Sequence, residues 1–142
     1  MLEIKPLVGD LKPPSKAHRG DAGWDVYSRE RITLLSGQSH RFKFGFVIIG
    51  KPGKVYVVEG KSGLAGRNGV DTMGNVIDNG YRGEVSALLI NHGRQPVWFM
   101  EGDKVAQILV QDVEDDADLV INDEPLEDTE RGDGAYGSTD KT

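Results

Sequence analysis

Apolar and polar residues alternate over short runs in this chain, and the runs are cut by glycine. In "HRFKFGFVII", Phe42, Phe44, Phe46 and Ile48 fall on one side and Arg41 and Lys43 on the other. Such a period of two predicts a half-buried strand. "KVYVVEG", "EVSALLIN", "QPVWFM" and "KVAQILVQDV" are rich in β-branched, aromatic and aliphatic residues and predict further strands. Glycine-bearing turns separate them: "IGKPGK", "NHGRQP" and "MEGDK". Long helical periodicity is absent, and one short helix is expected over Ser62 to Gly69, "SGLAGRNG". Many short strands with frequent turns predict an all-β barrel, sandwich or jelly roll.

The pattern changes near Asp112. "DVEDDADLVINDEPLEDTERGDGAYGSTDKT" has few large apolar residues and dense charge. Ten acidic residues and no basic ones lie from Asp112 to Glu130. Residues 1–111 carry a net charge of +4 and residues 112–142 one of −10, within a whole-chain charge of −6. We therefore expect one domain: a β core over residues 1–111 and an acidic C-terminal arm over residues 112–142. The arm would be an ordinary solvated tail if its end were not so particular: "ERGDGAYGSTD" combines an arginine, three glycines, an aromatic and two hydroxyls.

Length and composition narrow the function. At 142 residues the chain can bury one respectable core. A mean hydropathy of −0.42 and no apolar run of membrane length predict a soluble protein. There is no cysteine, so disulfides and thiolate-bound metals are excluded. The N-terminus lacks a signal-peptide pattern, and a cytoplasmic address is expected. A pI near 5.0 argues against a nucleic-acid polymer as partner, because that requires a broad basic surface. A small polyphosphate needs only a few well-placed donors.

Four further segments carry candidate chemistry. "EGKSGLAG" places Lys61, Ser62 and Gly63 at a helix start, where unpaired N–H groups attract anions; Ser62 could equally be a plain N-cap. "NVIDNGYRGEV" sets Asp78 after two apolar residues and before a turn. Its carboxylate could accept a proton, or it could be an Asx-turn residue, which "DNG" fits well. Tyr81 could lie against a ligand or cover a sheet edge. In "RGDAGWDVYS", Asp21 and Asp25 could help hold a hard cation, or could serve turns. In "EGDKVAQILV", Gln107 is a polar residue between Ala106 and Ile108, and alternation allows it a solvent face. His18, His40 and His92 show no ligand or triad spacing. Two RGD tripeptides are not read as integrin ligands. Trp24, Trp98 and Phe99 are expected to serve packing.

Taken in order, "DAGWDVYS", "GKSGLAG", "GNVIDNGYRGEV", "GDKVAQ" and "RGDGAYGSTD" resemble the five motifs of the trimeric dUTPases, from about Asp21 to Thr139. The resemblance implies a jelly-roll-like subunit in a C3 homotrimer, with each site drawing motifs from three chains and the fifth arriving on the arm. It implies hydrolysis of dUTP to dUMP and pyrophosphate by attack of water on the α-phosphorus. By the same resemblance Asp78 is the general base, and Tyr81 packs on the deoxyribose and excludes a 2′-hydroxyl. The backbone of Val76 and Ile77 reads uracil. Lys61, Ser62, Gly63 and Gln107 contact phosphates, and Asp25 holds Mg²⁺ through water. Arg131, Ser138 and Thr139 reach the γ-phosphate with the backbone of glycines such as Gly137, and Tyr136 stacks on the base.

The sequence departs from the family pattern in several places. Lys61 stands where arginine is usual, Asn75 where glycine is common, Tyr136 where phenylalanine is more frequent, and Ala135 and Asp140 where glycines are common. Lys61 keeps the charge and loses the planar fork. Two other readings are a dCTP deaminase of the same fold, disfavoured by "VIDNGYRG" and "RGDGAYGST", and a non-catalytic trimeric regulatory protein that binds nucleotide.

Overall fold

The computed structural model describes residues 1–130. Eleven strands and one short helix follow one another in them. They are β1 (Ile4–Pro6), β2 (Trp24–Tyr27), β3 (Ile32–Leu34), β4 (Ser39–Lys43), β5 (Phe46–Ile48) and β6 (Lys54–Glu59). Then come α1 (Ser62–Asn68), β7 (Val70–Met73), β8 (Val76–Ile77), β9 (Ser86–Asn91), β10 (Val97–Phe99) and β11 (Lys104–Asp112). Every pairing between them is antiparallel. One sheet has the order β2-β11-β6-β8 and a second β4-β9-β7; the pairs β1-β5 and β10-β3 complete a jelly-roll-like barrel.

The long alternating run behaves as the pattern predicts on its inner side and differently along its length. Phe42, Phe44, Phe46 and Ile48 are all buried. Yet the run is two strands, β4 paired with β9 and β5 paired with β1. The chain changes partner at Gly45, whose φ is 75°. A left-handed residue there turns the backbone without losing the inward face, and glycine adopts that conformation at no steric cost. A side chain would not fit either: a Cβ on Gly45 would lie 2.8 Å from Val8 Cγ2.

The core gathers residues from every sheet. Phe42 meets Phe99 edge to face at 5.1 Å. Asn91 is fully buried, and its amide donates to the carbonyls of Leu34 and Gln95 while accepting from Gly93 N–H. That satisfied amide ties β9 to the end of β3. Phe99 packs as expected, and Trp24 is partly buried against the core. Trp98 does not pack within the chain: it is 68% exposed. β10 alternates Val97 in, Trp98 out, Phe99 in, so a tryptophan between two core residues must face outward.

β11 runs through Asp112, one residue past the boundary read from composition. Beyond it the arm begins with fixed contacts. Val113 N–H donates to Gly53 O at 3.1 Å, Lys54 pairs with Asp112, and Gly53 N–H donates to Asp115 at 2.8 Å. Further along, Leu119, Val120, Ile121 and Leu126 stand exposed on this acidic segment. Among the described residues, no helix is long and apolar enough to cross a membrane.

Substituting Gly45→Ala should lower unfolding free energy by about 1–3 kcal/mol, from the positive φ and the crowding on Val8. Urea denaturation measures it, and an unchanged midpoint would show that the partner switch does not need glycine.

Candidate functional site

The first group of polar residues is assembled by β11, the central strand between β2 and β6. Gln107 lies opposite Asp25 of β2 and opposite Glu59 of β6. Residues opposite each other share a sheet face, so Gln107 is on the face of Asp25. Lys104 lies opposite Tyr27, which is two residues from Asp25 and therefore on that face as well. Lys104 and Gln107 are three apart, a spacing that normally puts residues on opposite faces. A register shift between Lys104 and Ala106 absorbs the odd residue and turns both side chains the same way.

The consequence is a buried carboxylate held by two ammonium groups. Asp25 is 5% exposed. Lys104 Nζ lies 2.6 Å from Asp25 Oδ2, and Lys61 Nζ contacts Asp25 Oδ1. Burial pushes the Asp25 carboxyl up, but the hydrogen bonds and charges of Lys104 and Lys61 outweigh it and hold the pKa below its ordinary value. Asp25 in turn raises the pKa of Lys104. Gln107 Nε2 donates to the Gly60 carbonyl at 2.9 Å, so the side chain is anchored against the residue before Lys61. A Cβ on Gly23 would lie 2.1 Å from Gln107 Oε1, so that glycine makes room for the amide.

Lys61 is the residue before α1 and its N-cap. The alternative reading of Ser62 as the cap is therefore corrected: Ser62 is the first helical residue, and the cap has extended φ and ψ with no side-chain hydrogen bond. The Lys61 side chain is instead engaged on Asp25. Gly69 ends the helix with a φ of 69°. Asp21 and Asp25 do not form a joint cation site. Asp21 Oδ2 accepts from His18 N–H at 2.8 Å, which is turn chemistry, while Asp25 is inside a strand.

The second group lies on β8, which follows β7 in the chain but joins the other sheet beside β6, and on the turn after it. Val76, Ile77, Asp78 and Tyr81 line a cavity of about 170 Å³ together with Gly74, Glu84 and Ser86. Complete ligand pockets run to roughly 300–1,000 Å³, so this cavity has the size for one part of a nucleotide. β8 is an outer strand of its sheet, paired only through Tyr56 and Val57 of β6. Its free edge presents backbone donors and acceptors to a ligand. The turn over residues 78–81 is closed by Tyr81 N–H donating to the Asp78 carbonyl at 3.1 Å. The Asx-turn reading of Asp78 is thus replaced: backbone closes the turn, and the exposed Asp78 carboxylate has no partner among the described residues. Tyr81 is half exposed and lies over Gly83, where a Cβ would come within 2.2 Å of its hydroxyl.

The structure thus brings Asp25, Lys61 and Gln107 together, and separately Val76, Ile77, Asp78 and Tyr81. Arg131, Tyr136, Gly137, Ser138 and Thr139 lie outside the described residues. Lys104 joins the Asp25 group, and sequence reasoning misses it. Its signal is present in "GDKVAQ", but only the bulge reveals which face it takes. His40 bonds Glu30 at 2.7 Å.

The dUTPase family profile matches residues 10–140. A deoxyuridine 5'-triphosphate nucleotidohydrolase of Mycolicibacterium vanbaalenii is 40% identical over 144 residues, spanning 97% of this chain and 94% of the relative. Among solved structures, a Staphylococcus bacteriophage 80alpha dUTPase mutant with dUpNHpp superposes with a TM-score of 0.84 at 20% identity, covering 98% of both chains. A mutant dUTPase from phage phi11 of S. aureus, described with a structural Mg(II) ion, superposes with a TM-score of 0.78 at 21% identity over 87% of this chain and 97% of its own.

The Asp25 cluster makes a pH prediction. A lowered folded pKa means that the ion pairs stabilise the fold above the ordinary carboxyl pKa of 3.8 and are lost as pH falls through the lower folded value. Asp25→Asn leaves two ammonium groups facing a neutral amide, so its melting temperature should lie below wild type at pH 7. The gap should close as pH falls below 3.8; thermal scans showing a constant gap would contradict the ion-pair origin. The order of the motifs, the match along nearly the whole sequence and the jelly-roll-like architecture agree: this chain belongs to the dUTPase family.

Proposed function

We propose that the chain hydrolyses dUTP to dUMP and pyrophosphate, at sites completed between copies of the chain in a homotrimer. The observation that carries this reading is the free Asp78 carboxylate, on a backbone-closed turn at the mouth of a small cavity, with Tyr81 beside it. A base must have a spare lone pair within reach of a water, and Asp78 spends none on the described protein around it.

Each residue then has a role that its surroundings support. The free edge of β8 offers main-chain groups of Val76 and Ile77 to the uracil rim. Tyr81, seated over Gly83, would present its ring to the deoxyribose and exclude a 2′-hydroxyl there. Lys61, the N–H groups of Ser62 and Gly63, and Gln107 supply donors for the phosphates. The Asp78-bearing turn and the Asp25 group are two half-sites on different elements, which suits a site closed by facing copies. The arm, residues 112–142, would bring Arg131, Ser138 and Thr139 to the γ-phosphate, Gly137 with its backbone N–H, and Tyr136 to the base.

The residues also suit Mg²⁺ of a particular kind. The described residues hold no group of three acidic or histidine ligands, so they form no cation cage. Each Asp25 oxygen takes one ammonium and keeps another lone pair. That donor set fits an ion whose other ligands are phosphate oxygens and waters, with Asp25 touching only its water shell. When bound, Mg²⁺ would neutralise charge on the phosphate oxygens. Asp25 meanwhile keeps Lys61 and Lys104 gathered on the phosphate side.

Pyrophosphate release should be rapid with dUTP and at least about 100-fold slower with dTTP or UTP, since in this reading each adds a group that the bound base or sugar has no space for. Comparable turnover of either would overturn the uracil and sugar assignments. Asp78→Asn should retain nucleotide affinity and lose roughly 10²–10⁴-fold in kcat. A chain ended after Glu130 should keep its melting temperature and lose roughly 100-fold in kcat/KM, whereas unchanged kinetics would remove the arm from the reaction.

A further inference from the structure

The geometry points to Asn79 and Asp115 as a positioning latch that fixes the turn carrying Asp78 and fastens the root of the arm to it. This rests on the reading of Asp78 as the base. Asn79 directly follows Asp78 in the chain. Asp115 Oδ2 accepts from Asn79 Nδ2 at 2.5 Å and from Gly53 N–H at 2.8 Å. One carboxylate oxygen therefore joins the turn to the backbone between β5 and β6. A hydrogen bond to an ionised acceptor is short and directional, which suits it to holding a position.

The same residue is gripped from two more sides. Arg82 Nη1 donates to the Asn79 carbonyl at 2.7 Å and to the Tyr81 carbonyl at 3.0 Å. A Cβ on Gly50 would lie 2.1 Å from the Asn79 carbonyl oxygen, so the backbone after β5 lies flush against the turn. The far end of the latch is fixed as well, by Val113 N–H on Gly53 O and by Lys54 on Asp112. Asn79 has its backbone held by Arg82 and Gly50 and its side chain by Asp115. Asp78 projects from the neighbouring position, with nothing among the described residues bonded to its carboxylate. The protein thus immobilises the residue beside the base and leaves the base itself free.

The latch lies at the surface, so its loss should leave global stability almost unchanged. Its effect is on placement: displacing a catalytic group by about 1 Å can reduce turnover on the order of 100-fold. The acidic arm gains a specific role at its root, because Asp115 ties it to the turn beside the base.

The test uses full-length protein with Asn79→Ala, Asp115→Ala, the double variant and Asp115→Asn. Each alanine variant should lower kcat roughly tenfold, with KM for dUTP within about twofold and melting temperature unchanged. The double variant should be no worse than Asp115→Ala, which already removes the Asn79 bond along with the one from Gly53. Asp115→Asn, whose amide oxygen still accepts, should retain most of kcat. Hydrogen exchange over residues 76–85 should quicken in the alanine variants, reporting a looser turn. Unchanged kcat, a loss confined to KM or melting temperature, or single effects that multiply in the double variant would each overturn the latch. Normal exchange in these variants alongside an inactive Asp78→Asn would overturn the latch and leave the base standing. An active Asp78→Asn would overturn the base and the proposal with it.

Discussion

The register of β11 is the constraint on which the first half of the site depends. β11 pairs with β2 on one side and β6 on the other, so its residues are fixed from both directions. One extra residue near its start turns Lys104 onto the face of Gln107 and Asp25. Without that shift, Lys104 would face away and Asp25 would be a buried charge with one partner instead of two. A buried carboxylate with too few partners is costly. The bulge therefore serves packing and chemistry together: Val105 and Ala106 both enter the core, and the polar residues around them gather on one face.

The second half of the site follows a different rule. β8 is an edge strand with only two paired residues, which leaves its other backbone edge unpaired by a neighbouring strand. The turn after it is closed by main chain, braced by Arg82, and pressed against Gly50. Rigidity comes from backbone and neighbouring side chains, which leave the Asp78 carboxylate without a partner among the described residues. The two groups of residues therefore sit on separate elements, the Asp25 group on β2, β11 and the start of α1, and the Asp78 group on β8 and its turn.

The β class, the short helix and the inward faces of β4, β5, β6, β9 and β11 are legible in the sequence, because period-two alternation and glycine turns are local signals. β2 is harder to see. "WDVY" contains a charged residue that a strand interior rarely buries, and its partners Lys61 and Lys104 lie far along the chain. Residue type alone assigns Trp98 to packing, although the alternation of β10 sends it outward. Asp78 and Gln107 are legible only as members of an ordered set of motifs.

The sequence by itself determined which residues are present, which faces of strands are apolar, and, through five ordered motifs, the family. Those are properties of neighbours along the chain. Tertiary structure decided that Lys61 and Lys104 converge on Asp25, that Gln107 is anchored on Gly60, and that Asp115 reaches Asn79. These pairs are set by strand register and by close backbone approach at glycines. Neither is written in local periodicity, because a shift of one residue in pairing changes every contact while leaving the pattern of polar and apolar positions the same.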